Sequence, residues 1–175
     1  MITVKMLITG DVGAGKTEFI RTISEIEPVS TEAAITDEFA ELKPETTVAM
    51  DFGRITVDDD LVLHLYGTPG QIRFDFMWEI LSTGILGYVV LVDSTRPQTC
   101  PATRRVVDYF EAISDVPYVV VANKQDVENA FSVEDIRHIL SLDDGVPVLP
   151  CNALDKGQVK EVLLTLFDRI LTYVD

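Results

Sequence analysis

Few features of this 175-residue chain are as telling as its shortages. It has only two cysteines, Cys100 and Cys151, too few for a disulfide framework, so the expected compartment is reduced and cytoplasmic. Its longest apolar run, Ile85 to Val92, is interrupted by Gly87 and far too short to span a membrane. No basic stretch precedes an apolar core at the start, and the chain does not open Met-Gly. Its last five residues, Leu171 to Asp175, have no cysteine near them. A signal peptide, a myristoyl group and a prenyl anchor are therefore not expected. Basic residues are scarce: 14 Lys and Arg stand against 29 Asp and Glu, a net charge of −15, which argues against nucleic acid or an anionic membrane as principal partner. Histidine is scarcer still, and His64 and His138 fall in separate elements without metal-ligand spacing.

What remains is an ordinary globular composition, 47% hydrophobic and 25% charged, at a length that suits one domain, residues 1–175. Apolar runs alternate with helical patterns. Strands are expected at Ile2–Ile8, Thr47–Val57, Leu61–Tyr66, Ile85–Val92, Val116–Ala122 and Val146–Leu149. Helices are expected at Thr17–Ile26, Phe74–Leu81, Cys100–Ile113, Val133–Leu140 and Gln158–Val174. The short run Asp58-Asp59-Asp60 predicts an antiparallel hairpin, and the helix-containing connections predict parallel crossovers. The expected fold is an open α/β sheet of about six strands, mostly parallel with one antiparallel edge strand, and helices on both faces. Glu27 to Thr46 reads as an irregular segment.

The chemistry starts at Gly10-Asp11-Val12-Gly13-Ala14-Gly15-Lys16-Thr17, a match to G-x-x-x-x-G-K-[ST] between a strand and a helix. Glycine lets such a loop turn its N–H groups around a phosphate, and the following helix offers its N-terminus to the anion. Lys16 would reach the β- and γ-phosphates, and Thr17 would hold Mg2+. A second motif, Asn123-Lys124-Gln125-Asp126, should cap the strand before it. A carboxylate such as Asp126 can accept from both N1–H and the exocyclic amino group of guanine, a donor pair adenine lacks.

With both motifs in order, the chain resembles the Ras-like small GTPases over essentially its whole length, and most closely the prokaryotic MglA-like and conservon GTPases. Thr46 to Arg54 and Gly67 to Gln71 carry the closer likeness. The resemblance implies a switch that binds GTP and GDP with Mg2+ and hydrolyses GTP. It implies phosphate contacts from Asp11 through Glu18, and guanine contacts from Asn123, Lys124, Asp126, Asn152, Ala153 and Leu154. Thr47 resembles the switch threonine that joins Mg2+ and the γ-phosphate in the triphosphate state. Gly70 resembles the glycine whose N–H touches the γ-phosphate, and Gln71 the residue that orients the attacking water, with Lys16 stabilising charge. A Roadblock-type regulator and effector proteins at the switch regions are the implied partners.

Three departures from the pattern bear on mechanism. Gly67 stands where the family has a Mg2+-holding Asp, so a substitute carboxylate is needed, Asp51 or Asp93. Val12 crowds the space used by a switch glutamine and an arginine finger, which predicts slow unassisted turnover, on the order of 10⁻⁴ to 10⁻³ per second. No arginine flanks Thr47, and Arg54 and Arg73 read as surface or ion-paired residues. Phe74, Met77, Trp78 and Leu81 form an apolar stripe after Gln71; the expectation is that most of it packs on the sheet while Phe74, Phe76 or Trp78 is partly presented to a partner in the GTP state. Two rival readings are a pseudo-GTPase scaffold with little or no turnover and an ATP-using P-loop enzyme.

Overall fold

Each apolar run of the sequence becomes a strand of one sheet in the computed structural model, which describes residues 1–34, 47–70 and 75–175, with backbone only for 29–34 and 47–50. The strands are β1 (Ile2–Gly10), β2 (Val29–Ala34), β3 (Thr47–Asp58), β4 (Leu61–Gly67), β5 (Gly87–Asp93), β6 (Tyr118–Asn123) and β7 (Val148–Pro150). The helices are α1 (Lys16–Ile23), α2 (Phe76–Ser82), α3 (Cys100–Ile113), α4 (Val133–Ile139) and α5 (Lys156–Val174). Strand order is β2-β3-β4-β1-β5-β6-β7. Strands β4, β1, β5, β6 and β7 run parallel to one another, and β3 is antiparallel to both β4 and β2.

Burial explains the sequence signals. β5 and β6 are buried along their whole length, as the unbroken apolar runs of a two-sided parallel sheet require. One core cluster joins β1, β4 and β5 to α1 and α5 through Phe19, Ile20, Leu163 and Leu166. The other joins the opposite face to α2, α3 and α4 through Trp78, Val107, Phe110 and Ile136. No helix among the described residues is long and apolar enough to cross a membrane.

The expected fold is found, with a seventh strand added. β2 arises inside the segment read as irregular and pairs with β3 from Val29–Phe52 to Ala34–Thr47, so the antiparallel strand lies one in from the edge. The run Val-Ser-Thr-Glu-Ala-Ala has no strong alternation, and its strand state comes from the partner's free edge. Helix α1 ends at Ile23, three residues before the expected Ile26. The backbone of β3 captures the next turn: Arg54 N–H donates to Ser24 Oγ at 3.1 Å, and Glu25 N–H donates to the Arg54 carbonyl at 2.8 Å. The chain reverses order at β1, which lies between β4 and β5, so the loops after β1, β4, β5, β6 and β7 meet at one edge.

Candidate functional site

The loop from Gly10 to Thr17 leaves β1 and enters α1 through Gly15, whose φ of 104° lies in the left-handed region. No side chain caps this helix, so its first N–H groups remain available to an anion. Lys16 Nζ donates to the carbonyls of Gly10 and Asp11 at 2.9 and 2.8 Å. Burial pulls its pKa down to about 8, against the opposing pull of Asp11 and Asp51. The ammonium is thus held in a desolvated place with only loop carbonyls as hydrogen-bond partners among the described residues, a setting that a phosphate would relieve. Gly70 closes over it: a Cβ there would lie 2.7 Å from both Lys16 Nζ and the Val12 nitrogen. Hydrogen bonds from Thr68 N–H to the Ile8 carbonyl (3.0 Å) and between the Thr68 and Thr9 hydroxyls (2.7 Å) pin this stretch to β1. Val12 is half-exposed, Ala14 is buried in the core, and Gly15 and Glu18 line the base-end cavity.

At the metal end the geometry separates the two candidate carboxylates. Thr17 Oγ1 donates to Asp51 Oδ2 at 2.6 Å. Asp51 is the direct register partner of Gly67, and a Cβ on Gly67 would lie 3.2 Å from Asp51 Cβ and 3.4 Å from its Oδ2. The Asp51 carboxylate therefore fills the space that a side chain at position 67 would enter. Asp93 is committed elsewhere. Buried, it would resist ionisation, but hydrogen bonds from Lys124 (2.7 Å) and Thr95 (2.9 and 2.6 Å) outweigh burial and hold its pKa below the usual carboxylate value. Thr47 opens β3 opposite Ala34, four residues before Asp51, or about 13 Å along an extended chain. Its backbone lies in the β2–β3 ladder, beyond the last rung that β3 shares with β4 at Asp51 and Gly67. Gln71, Arg73 and Phe74 lie outside the described residues.

At the base end Asn123 is 2% exposed and acts as a brace. Its Nδ2 donates to the Ala14 carbonyl at 2.9 Å, and its Oδ1 accepts from Ala153 N–H at 3.0 Å. Lys124, at φ 64°, donates to the Gly13 carbonyl at 2.9 Å as well as to Asp93. Between them opens a cavity of about 250 Å3, with Asp126 on one wall and Asn152, Ala153 and Leu154 on another. Leu154 N–H is held by Asn152 Oδ1 at 3.0 Å, and Asn152 N–H by Gln158 Oε1 at 2.7 Å. Asp93 and Gln158 shape this end, yet no motif flagged Gln158. Its signal is the helix start that Asp155 caps by accepting from Gln158 N–H.

Trp78 corrects one expectation. It is 4% exposed, stacks on Phe110 and meets Tyr109 edge-on, so it belongs to the core rather than to a presented surface. Its indole N–H donates to the Pro69 carbonyl at 3.0 Å. Arg54 is not ion-paired among the described residues, and its Nε is buried without a hydrogen-bond partner there.

The chain is similar to several known proteins. A family described as "Conserved hypothetical ATP binding protein" matches residues 8–173. The chain is 30% identical over 176 residues to ADP-ribosylation factor-like protein 3 of Saccharomyces cerevisiae, covering 94% of this chain and 84% of that one. It is 31% identical over 124 residues to an uncharacterized protein of Methanocaldococcus jannaschii, covering 71% of each. It is 26% identical over 181 residues to the Ras-related protein SEC4 of Saccharomyces cerevisiae, covering 98% of this chain and 76% of that one.

Proposed function

We propose a function for a chain whose kinship is plain: it belongs to the family described as "Conserved hypothetical ATP binding protein" and, with its Arf-like and Ras-related homologues, to the Ras-like small GTPases. The reading is a guanine-nucleotide switch that hydrolyses GTP slowly and engages partners according to the nucleotide held.

The base pocket carries the choice of guanine over adenine. Asn123 ties the phosphate loop to Ala153, which leaves Asp126 on the cavity wall without an internal partner among the described residues. Guanine satisfies that carboxylate with two donors; adenine leaves it unpaired, at a cost of about 1–3 kcal/mol or more. The word ATP in the family's description makes this the point to test. Competition of GTP and ATP against labelled GDP should show GTP winning by at least about tenfold, and equal competition defeats the reading.

The hard oxygen donors Thr17 and Asp51 suit Mg2+, and both would hold it. Bound there, the ion would neutralise charge on the phosphates. Asp51 thus takes the part that Gly67 vacates, which weakens the case for a scaffold without turnover. Lys16 would exchange its loop carbonyls for the β- and γ-phosphates. Gly70 lies so near Lys16 that a Cβ on it would sit 2.7 Å from Nζ, so a γ-phosphate reaching Lys16 would displace it, and Thr47, at the outer end of the β2–β3 ladder, would join the metal in the triphosphate state. Gln71 would orient water for in-line attack, with Lys16 and the loop amides stabilising the charge that develops. Phosphate release lowered by Gln71→Ala supports hydrolysis; no release from either form supports the scaffold. A role in signalling or polarity with a Roadblock-type regulator, as in MglA-like relatives, is the finer form of the same proposal.

A further inference from the structure

Helix α5 buries Val159, Val162, Leu163, Leu166 and Ile170 against the sheet. Of its remaining apolar residues, Tyr173 stands apart, and the other four fall in one row. Leu164, Phe167, Leu171 and Val174 recur at i, i+3, i+7 and i+10, one stripe about 15 Å long. Phe167 is half-buried against the core, while Leu164, Leu171 and Val174 are 51%, 64% and 75% exposed. That spacing is the seam a second helix uses, not the period-2 pattern of an added strand.

The flank of the stripe says what kind of helix. Glu161 and Asp168 stand one heptad apart along one side, and Asp175 continues the row at the helix end. All three are exposed, and none is ion-paired among the described residues. Lys160, one turn before Leu164, is the basic residue at the head of the stripe. We infer that this face of α5 docks an amphipathic helix of another protein, with apolar residues at heptad spacing and Lys or Arg along the side that meets Glu161 and Asp168. Two other occupants fit worse. A second copy would bring the same acids together in a chain already at −15, and an anionic membrane repels them. The stripe lies in the C-terminal part of α5, whereas the base pocket meets that helix at its first turn through Gln158. Glu161 lines a cavity shared with Asp126, Asn152 and Gln158, whereas Leu164, Leu171 and Val174 do not, so the apolar part of the docking face stands apart from the nucleotide reading.

The test uses the intact GDP-loaded chain and two fluorescent three-heptad peptides. Both carry Leu at a and d; one has Lys and the other Glu at the flanking positions. In fluorescence anisotropy the Lys peptide should bind, and the double variant Leu164→Gln/Leu171→Gln should weaken it by about tenfold or more. The double variant Glu161→Lys/Asp168→Lys should weaken the Lys peptide similarly and admit the Glu peptide. GDP affinity should be unchanged in the leucine variant, and cooperative thermal unfolding should show that both variants fold. Failure of the Lys peptide to bind overturns the proposal. So does binding that the leucine substitutions leave untouched, since that is charge attraction alone. Sedimentation of the unmodified chain as a dimer that Leu171→Gln dissolves also overturns it, in favour of a second copy.

Discussion

Removing the lysine proposed to hold the phosphates should make the ligand-free protein more stable. Lys16 sits where burial lowers its pKa from 10.5 to about 8, although Asp11 and Asp51 oppose the effect. The fold thus disfavours the charged form by about 3 kcal/mol. Against this, Lys16 gives two hydrogen bonds to the Gly10 and Asp11 carbonyls, each worth about 1 kcal/mol. Lys16→Met removes both the penalty and the bonds, for a net gain of about 1 kcal/mol, or about 2–4 °C in Tm. The sign with pH is fixed. Below about pH 8 the lysine is charged both folded and unfolded, so the penalty is complete. From there to about pH 10.5 the folded protein gives up the proton first, so the stability of the natural chain rises by up to about 3 kcal/mol, closes the gap and passes that of the variant. The assay is thermal unfolding of nucleotide-stripped protein at pH 7 and pH 10, alone and with GDP. The natural chain should gain strongly from GDP at pH 7 and the variant should not. A ligand-free variant that melts lower at pH 7, with a gap that does not change by pH 10, refutes the reasoning.

Three further outcomes are expected. Gly67→Asp alone should lose about 1–3 kcal/mol, because its Cβ would lie 3.2 Å from that of Asp51, whereas Gly67→Asp with Asp51→Gly should fold and bind Mg2+; denaturant midpoints and Mg2+-dependent GDP release measure both. Equal destabilisation by the single and double changes counts against shared space. Asp126→Asn should weaken GDP by about tenfold or more and improve xanthosine diphosphate, whose C2 carbonyl accepts from an amide; displacement of a labelled nucleotide reads it out. Trp78 fluorescence should differ between GDP and a non-hydrolysable GTP analogue, because its N–H is held by Pro69, next to the glycine that a γ-phosphate would move; identical spectra argue against that linkage.

Motifs whose work is done by nearby backbone were legible in the sequence. Gly10 to Thr17 announced its turn through glycine spacing, and Asn123 to Asp126 followed a strand plain from Val119 to Ala122 alone. What escaped depended on register or on a distant partner. Asp51 could not be preferred to Asp93 until its place opposite Gly67 was visible, since neither residue carries that pairing in its own neighbourhood. Strand β2 owes its state to the edge of β3, and the early end of α1 to backbone groups thirty residues away, at Arg54. Trp78 has the spacing of a core residue and of a docking residue alike, and only the ring contacts with Tyr109 and Phe110 decide between them.

The braces at the base end have a kinetic consequence. Asn123 grips Ala14, Lys124 grips Gly13, and Ala153 grips Asn123, so the two halves of the nucleotide cradle are stitched across the sheet edge. A nucleotide seated there could not let go of its base and keep its phosphates at leisure, or the reverse. Loosening either half strains the other, so departure becomes one concerted event with a single barrier. An exchange factor for such a cradle has no need to touch phosphate, metal and base in turn. Prising at one stitch, from whichever side is reachable, would empty the whole seat.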